Sequence, residues 1–419
     1  MSARVERLAM PDPLAEAGLQ TELAQKYFVW DAFVGGERRV DIHPLVLSRR
    51  LHEDAVFAAE NVVRMVGAAA SRAHVDPEEA ARYGLHSDVL RLAAASHSRK
   101  DDAGLVRVDL LLGDDGGWRA CEINADCPGG HNEAFALPRL ARAAGFSGGR
   151  NPTLLMRALA TRIEGLVTGG DGKPGAVGLI FATAYAEDLQ VCALIKRALE
   201  ERGIKAVLAP PTAPRYRDGK VMIGDTAIDA LYRYFPAEYM ESQANVPELI
   251  EAIEAGKLRT ISSFSQIFMQ SKLAFARVWK ASEDGLFPGD RALLAAHVPA
   301  TFEVREIEPE RLAVERNEWV VKRALGRVGD EVFVGSLISD ADWVPLLADV
   351  RARVAKGETW IAQRFVRQRS IATPWGPRLV TLGAYVLDGS FVGYFARLTR
   401  DSHVSHDALV LPVFHEEAA

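Results

Sequence analysis

Four short stretches hold residue types that can do chemistry. In VRVDLLL (106–112) Arg107 and Asp109 alternate, and in WRACEIN (118–124) Glu122 and Asn124 do the same. A strand shows every second side chain on one face, so Ala120, Glu122 and Asn124 are expected to share a side. If the GDDGG between the runs closes a hairpin, both polar pairs can meet on one patch. An arginine, two carboxylates and an amide oxygen make a poor core and a good hard-cation site. Magnesium takes oxygen ligands and shares them with phosphate. The plain alternative is a solvent-facing strand pair with ordinary salt bridges.

The second stretch, WVVKRALGRVGDEVFVG (319–335), ends an apolar run on Lys322 and follows it with Gly326 and Gly329. A strand-end ammonium beside loop N–H groups can face phosphates. It is not a P-loop, because the lysine precedes the glycines and no helix follows. The third is SKLAFARVWK, where Lys272 is offset from the apolar stripe of Ile267, Phe268, Phe275 and Val278; a solvated helix lysine is the bland reading. The fourth is GYFARLTR, with Arg397 at a strand end, able to meet an anion or simply pair with an acid. ETWIAQRFV suits a strand whose backbone meets a base edge, or just an apolar strand. His403 and His406 have no third ligand nearby in sequence and read as solvated or substrate-facing. Cys127 has no basic sequence neighbour to lower its pKa, which weighs against a covalent nucleophile.

The elements that must position these residues can be read coarsely. A chain of 419 residues exceeds one ordinary core. With 48% hydrophobic and 25% charged residues it is globular, not disordered. A net charge of −6 gives no general reason to expect nucleic acid or anionic membrane as partner. Three cysteines without metal spacing, no signal-like start and no long apolar run predict a cytoplasmic protein. Helical period marks 43–73 and 77–97, then the hairpin, then helices at 133–144 and 151–168. After a boundary at 170–175, strand, helix and strand (AVGLIFATAY, EDLQVCALIKRALEERG, IKAVLAP) predict a βαβ unit without a G-x-G-x-x-G loop. A helix at 265–281 opens a region of antiparallel strands and a helix at 340–355, read as a separate α+β unit. The expected fold class is multi-domain, α/β and α+β. Four regions are expected: helical 1–100, the hairpin region 101–170, the βαβ region 171–258, and 259–419.

Taken in order, R-x-D (107–109), E-x-N-A-D-x-P (122–128), S-K-L (271–273), V-V-K with G-x-x-G (320–329), W-I-A-Q (360–363) and G-Y-F-A-R (393–397) resemble the circularly permuted ATP-grasp ligases, in particular the synthetase domain of glutathionylspermidine synthase. The resemblance implies a circularly permuted ATP-grasp fold with a small parallel-sheet domain like the one preceding ATP-grasp at 171–258. It assigns 101–170 to the ATP-grasp core and 259–419 to nucleotide binding. It also implies ATP and two Mg²⁺ ions as cofactors. Asp109, Glu122 and Asn124 match the family's metal ligands. Lys272 and Lys322 match its phosphate lysines, Gly326 to Gly329 its phosphate cover, and Gln363 lies near its adenine strand. Arg107 and Arg397 match arginines on the reacting carboxylate and the transferred phosphoryl group. Asp126, Cys127, Gly129, Gly130 and Glu133 fall where the acceptor acid sits, but the family reads A-D-T-P-T-S where this chain has Ala125-Asp126-Cys127-Pro128-Gly129-Gly130. The implied activity is an ATP-dependent carboxylate–amine ligase working through an acyl phosphate on a small-molecule or peptide acid, with Asp126 or Glu133 as candidate base. Transfer to a carrier-protein thiol and a silent nucleotide-binding scaffold are the alternatives. The first hundred residues are expected to complete a domain and one wall of the substrate cleft.

Overall fold

The hairpin forms as β1 (Leu105–Leu112) and β2 (Trp118–Asn124), antiparallel, with Arg107 opposite Asn124 and Asp109 opposite Glu122. This is a computed structural model, and it describes residues 3–8, 13–34, 36–100, 104–168, 174–326, 331–402 and 408–417. On β1 the side chains Val106, Val108, Leu110 and Leu112 are buried in the main core, which leaves Arg107, Asp109 and Leu111 on the opposite face. The register shifts after Asp109, so that Leu110 meets Ala120 and β2 carries a bulge at Cys121. One extra residue reverses the alternation. Trp118, Ala120 and Ile123 go into the core, while Cys121, Glu122 and Asn124 line a cleft. Ala120 therefore does not share a face with Glu122 and Asn124, as simple alternation predicts.

Behind the core face lies α1 (Arg49–Ala70), whose start is capped by the Ser48 hydroxyl accepting from Leu51 N–H. Its buried stripe, Leu51, Ala55, Ala58, Val62, Met65 and Ala69, has helical spacing. Each large side chain in it contributes about 1.5–3 kcal/mol by leaving water. After the hairpin, α2 (His131–Ala143) begins at Gly130, whose φ of 90° suits glycine. The predicted βαβ unit is present: β3 (Ala176–Phe181), α3 (Ala186–Glu200) and β4 (Lys205–Ala209), with the two strands parallel. β5 (Ala230–Tyr234) and β6 (Arg259–Ile261) extend it to a parallel sheet ordered β6-β5-β3-β4.

The helix read at 265–281 is in fact two, α4 (Ile267–Gln270) and α5 (Leu273–Glu283), broken where Ser271 turns extended at ψ 128°. β7 (Thr301–Glu303), β8 (Trp319–Arg323), β9 (Val332–Val334) and β10 (Trp360–Arg364) make an antiparallel sheet ordered β7-β10-β8-β9. One face of it packs Trp319, Val321, Trp360 and Ala362 against Trp343, Leu347 and Val350 of α6 (Asp340–Ala355). The other face carries Val320, Lys322, Val334 and Gln363 into the cleft.

The last strands return to the start. β11 (Leu379–Leu387), β12 (Ser390–Thr399) and β13 (Leu409–Leu411) continue the hairpin into one five-stranded sheet ordered β13-β12-β11-β1-β2. The antiparallel part after 259 is thus not a self-contained α+β unit, since β11 has β1 as its neighbour. Near the chain end, Val413–His415 also pairs in parallel with Leu45–Leu47. Among the described residues no helix is long and apolar enough to cross a membrane. Gly329, His403, His406 and part of the 170–175 boundary lie outside the described residues.

Candidate active site

A cleft of about 1220 Å³ is walled by the five-stranded sheet, the β7–β10 sheet and the C-terminal ends of β3 and β5. Ligands commonly bind at that end of parallel strands. Three of the four sequence stretches line it, and the remaining one reaches it through Lys272, whose ammonium pairs with Glu122 of the lining.

At the middle of the cleft is Asp109, 2% exposed. Arg107 donates Nε to Oδ1 at 2.7 Å and Nη2 to Oδ2 at 3.0 Å. Arg397 donates Nη2 to Oδ2 at 2.6 Å, and Asn124 donates Nδ2 to the same oxygen at 3.3 Å. Burial pushes the Asp109 carboxyl up, but the two guanidinium groups outweigh it and hold it down to about 2. Arg107 also donates Nη1 to Gly129 O at 2.9 Å, and Tyr385 O–H donates to the same carbonyl. Phe395 lies beneath both arginines, its ring centre 5.4 Å from the Arg107 guanidinium carbon and 5.6 Å from that of Arg397.

Toward the β7–β10 sheet, the break before α5 makes Lys272 a buried group instead of a solvated helix lysine. Its Nζ lies 3.0 Å from Glu122 Oε1 and donates to Gly326 O at 2.6 Å. Lys322, also buried, donates to Cys121 O at 2.9 Å and to Gln363 Oε1 at 2.8 Å. Burial lowers its pKa, with Cys121 and Glu122 opposing the fall. Gln363 Nε2 donates in turn to Thr301 Oγ1 at 3.2 Å, so this side chain orients Lys322. Val320, Val332 and Val334 provide an apolar wall beside the lysine. Burial pushes the Cys121 thiol up to about 12, which keeps it protonated.

The other end joins Glu133 and the loop after β2 to residues no motif announced. Asp31 and Arg39, from the first hundred residues, line the cleft with Glu133, Glu187 and Asp188. Arg39 is ion-paired to both Asp31 (2.5 Å) and Glu133. Burial raises the Glu133 pKa against the pull of Arg39. Tyr185 and Tyr239 stand exposed at its rim. Cys127, Gly129 and Gly130 reach the cleft as expected. Asp126 does not. It is fully buried, ion-paired to Arg233 at 2.5 Å, accepts from Ala237 N–H at 2.9 Å, and has no place in the cleft lining. It is a clamp on the loop after β2, and the candidate-base role falls away from it.

For a metal, Asp109, Glu122 and Asn124 offer hard oxygen atoms on adjacent strands. Among the described residues no cluster of three His, Cys, Asp or Glu side chains forms a ready cage, so a cation here would complete its shell with water or phosphate oxygen. The donor set fits magnesium on those terms.

A family model described as glutathionylspermidine synthase preATP-grasp matches residues 16–414. No curated protein matches. Among solved structures, a glutathione synthetase-like effector from Globodera pallida in its apo form superposes with a TM-score of 0.55 at 10% identity, covering 97% of this chain and 98% of that one. A structure titled as a γ-glutamylcysteine synthetase from Methylobacillus flagellatus reaches a TM-score of 0.43 at 13% identity, over 76% and 82% of the two chains. The likeness to the Globodera protein shows a shared fold.

Proposed function

The chain belongs to the glutathionylspermidine synthase family, within the circularly permuted ATP-grasp ligases, and from that premise we propose that it is an ATP- and Mg²⁺-dependent ligase joining a small-molecule or peptide carboxylate to an amine. The observation that carries this reading is one cleft lined by buried Lys322, by Arg107 and Arg397 and by the Asp109–Glu122–Asn124 oxygen set, with the buried Lys272 ammonium against Glu122. Phosphoryl transfer depends on positioning and charge neutralisation more than on a covalent nucleophile. The γ-phosphoryl of ATP passes to the acid's carboxylate, leaving ADP and an acyl phosphate. The amine then attacks that carbonyl and expels phosphate.

Asp109, Glu122 and Asn124 would hold magnesium, which when bound neutralises phosphate oxygens. Lys272 and Lys322 face the nucleotide phosphates, with Gln363 fixing Lys322. Arg397 and Arg107 stabilise charge on the reacting carboxylate and on the tetrahedral species. At the far end, the carboxylates of Asp31, Glu133, Glu187 and Asp188 outnumber the one guanidinium of Arg39 among the described lining residues. That charge suits an entering amine. Glu133, whose burial favours holding a proton, is the remaining candidate to take the amine's.

The test is phosphate release with mass detection of product, screened over acid–amine pairs. We expect release that needs both partners, and its abolition in Lys322→Ala and Glu122→Ala with the fold retained. Parent-rate ATP consumption by either variant, in the presence of the acid, would overturn the site assignment.

A further inference from the structure

Lys322 differs from Arg39, Arg107, Arg397 and Lys272, each of which stands against a carboxylate. Among the described residues Lys322 has no such partner. Two neutral oxygens hold its ammonium, Cys121 O at 2.9 Å and Gln363 Oε1 at 2.8 Å. An ammonium has three N–H donors and no acceptor. One acceptor lets Nζ swing about it; two fix its place and leave the third N–H for a ligand. Gln363 can hold the lysine only through its oxygen, because the other end of the amide carries N–H donors. The neighbouring strand holds the amide that way round. Thr301 and Gln363 are direct partners across β7 and β10. Thr301, 1% exposed, donates its one hydroxyl hydrogen to Pro299 O at 2.8 Å, so toward Gln363 its oxygen can only accept. Gln363 Nε2 fills that place at 3.2 Å, which turns Oε1 to Lys322. Pro299 O is itself held by the Trp279 indole N–H of α5 at 3.1 Å. Thr301 has no place in the cleft lining, so a ligand in the cleft does not compete for its hydroxyl.

We propose that Thr301 is a positioning residue for nucleotide binding: its hydroxyl fixes which end of the Gln363 amide meets Lys322, and so keeps that ammonium placed for phosphate. This rests on the ligase reading of the cleft, in which Lys322 faces the nucleotide phosphates. The physical cause is a chain of donors and acceptors whose sense is set at both ends. Lys322 can only donate and Pro299 O can only accept, and Gln363 and Thr301 between them fit in one orientation. Without the Thr301 oxygen, Gln363 Nε2 is a buried donor with nothing to hold it. The amide then turns to seek another partner, and Lys322 keeps only Cys121 O as its fixed acceptor.

The discriminating measurement is calorimetric titration of the full chain with ATP in the presence of Mg²⁺, without acid or amine. We expect Thr301→Val to bind ATP about fivefold more weakly than the parent, because apparent affinity scales with the fraction of molecules whose lysine is held for phosphate. Thr301→Ser keeps the hydroxyl and loses only the methyl group, and is expected to bind like the parent. In a Gln363→Leu background, Thr301→Val is expected to add nothing, since the residue it acts through is gone. Parent affinity in Thr301→Val overturns the proposal and leaves the ligase reading standing. So does an equal loss in the Gln363→Leu background, or a Thr301→Ser protein as weak as Thr301→Val. ATP binding absent from every protein, the parent included, defeats the ligase reading itself. Should Thr301→Val not fold, Thr301→Ala removes the same oxygen and takes its place in each comparison.

Discussion

Asp109 and Asp126 both follow short alternating runs, and nothing in their neighbours tells them apart, yet one faces the cleft and the other holds the fold. The difference is what each meets across the chain. Asp126 meets Arg233, which is itself 1% exposed, donates to Phe235 O at 2.6 Å and Ser262 O at 3.2 Å, and lies over the Phe264 ring. Removing one partner of a buried pair leaves an uncompensated charge, at a cost of about 3–5 kcal/mol. Asp126→Ala is therefore expected to lower the urea unfolding midpoint strongly, and Glu122→Ala, which leaves the Lys272 ammonium still bonded to Gly326 O, to lower it less. Equal losses from the two would contradict the division between clamp and site. Residue types were legible at this scale: Arg107, Lys322 and Arg397 line the cleft, and Lys272 pairs with Glu122, which does. Asp31 and Arg39 were not legible, because they stand in no motif and acquire meaning only by packing beside Glu133.

Elements were legible wherever one period ran unbroken. The first hairpin strand, the βαβ unit and the 340–355 helix follow their patterns: alternation on β1, a fully buried apolar run on β3 and helical spacing on α6. Reading failed where a single residue changes the phase. The bulge at Cys121 moves Ala120 into the core, and the extended Ser271 splits a helix that propensity would continue. Both irregularities serve the site: one aims Glu122 at the cleft, the other brings Lys272 to it. The start of α2 is a third such place. Gly130 has φ of 90°, and a Cβ on it would lie 2.6 Å from Phe395 Cδ2. Gly130→Ala carries about 1–2 kcal/mol of backbone strain, and it must also push the ring that supports Arg107 and Arg397. The expected outcome is a lower unfolding midpoint together with a kcat loss larger than any change in KM for ATP. Unaltered kcat would mean that Phe395 does not set the arginines.

At the scale of the whole molecule, the order of the chain hides the order of the sheet. Residues 105–124 and 379–411 are far apart in sequence but adjacent in one five-stranded sheet, with Asp109 opposite Gly383 and Arg107 opposite Tyr385. No local pattern encodes such a pairing; only the family's motif order hinted that the hairpin belongs with the later strands. The cleft exists because that sheet closes against β7–β10 and the parallel sheet, and Leu45–Leu47 pairs with Val413–His415 to tie the two ends of the chain. A fragment of residues 259–419 would therefore expose the β1-facing edge of β11, whose Leu382, Ala384 and Val386 are wholly or almost wholly buried in the intact chain. It would also lack α1, which covers the core face of the sheet. An unpaired apolar edge of this kind invites association. We expect the fragment to aggregate or to show no cooperative unfolding, and a complementing fragment of residues 1–258, refolded with it, to restore a single transition. A fragment 259–419 that is monomeric and melts cooperatively by itself would show that the later strands carry their own core, and that the shared sheet forms by docking two folded parts.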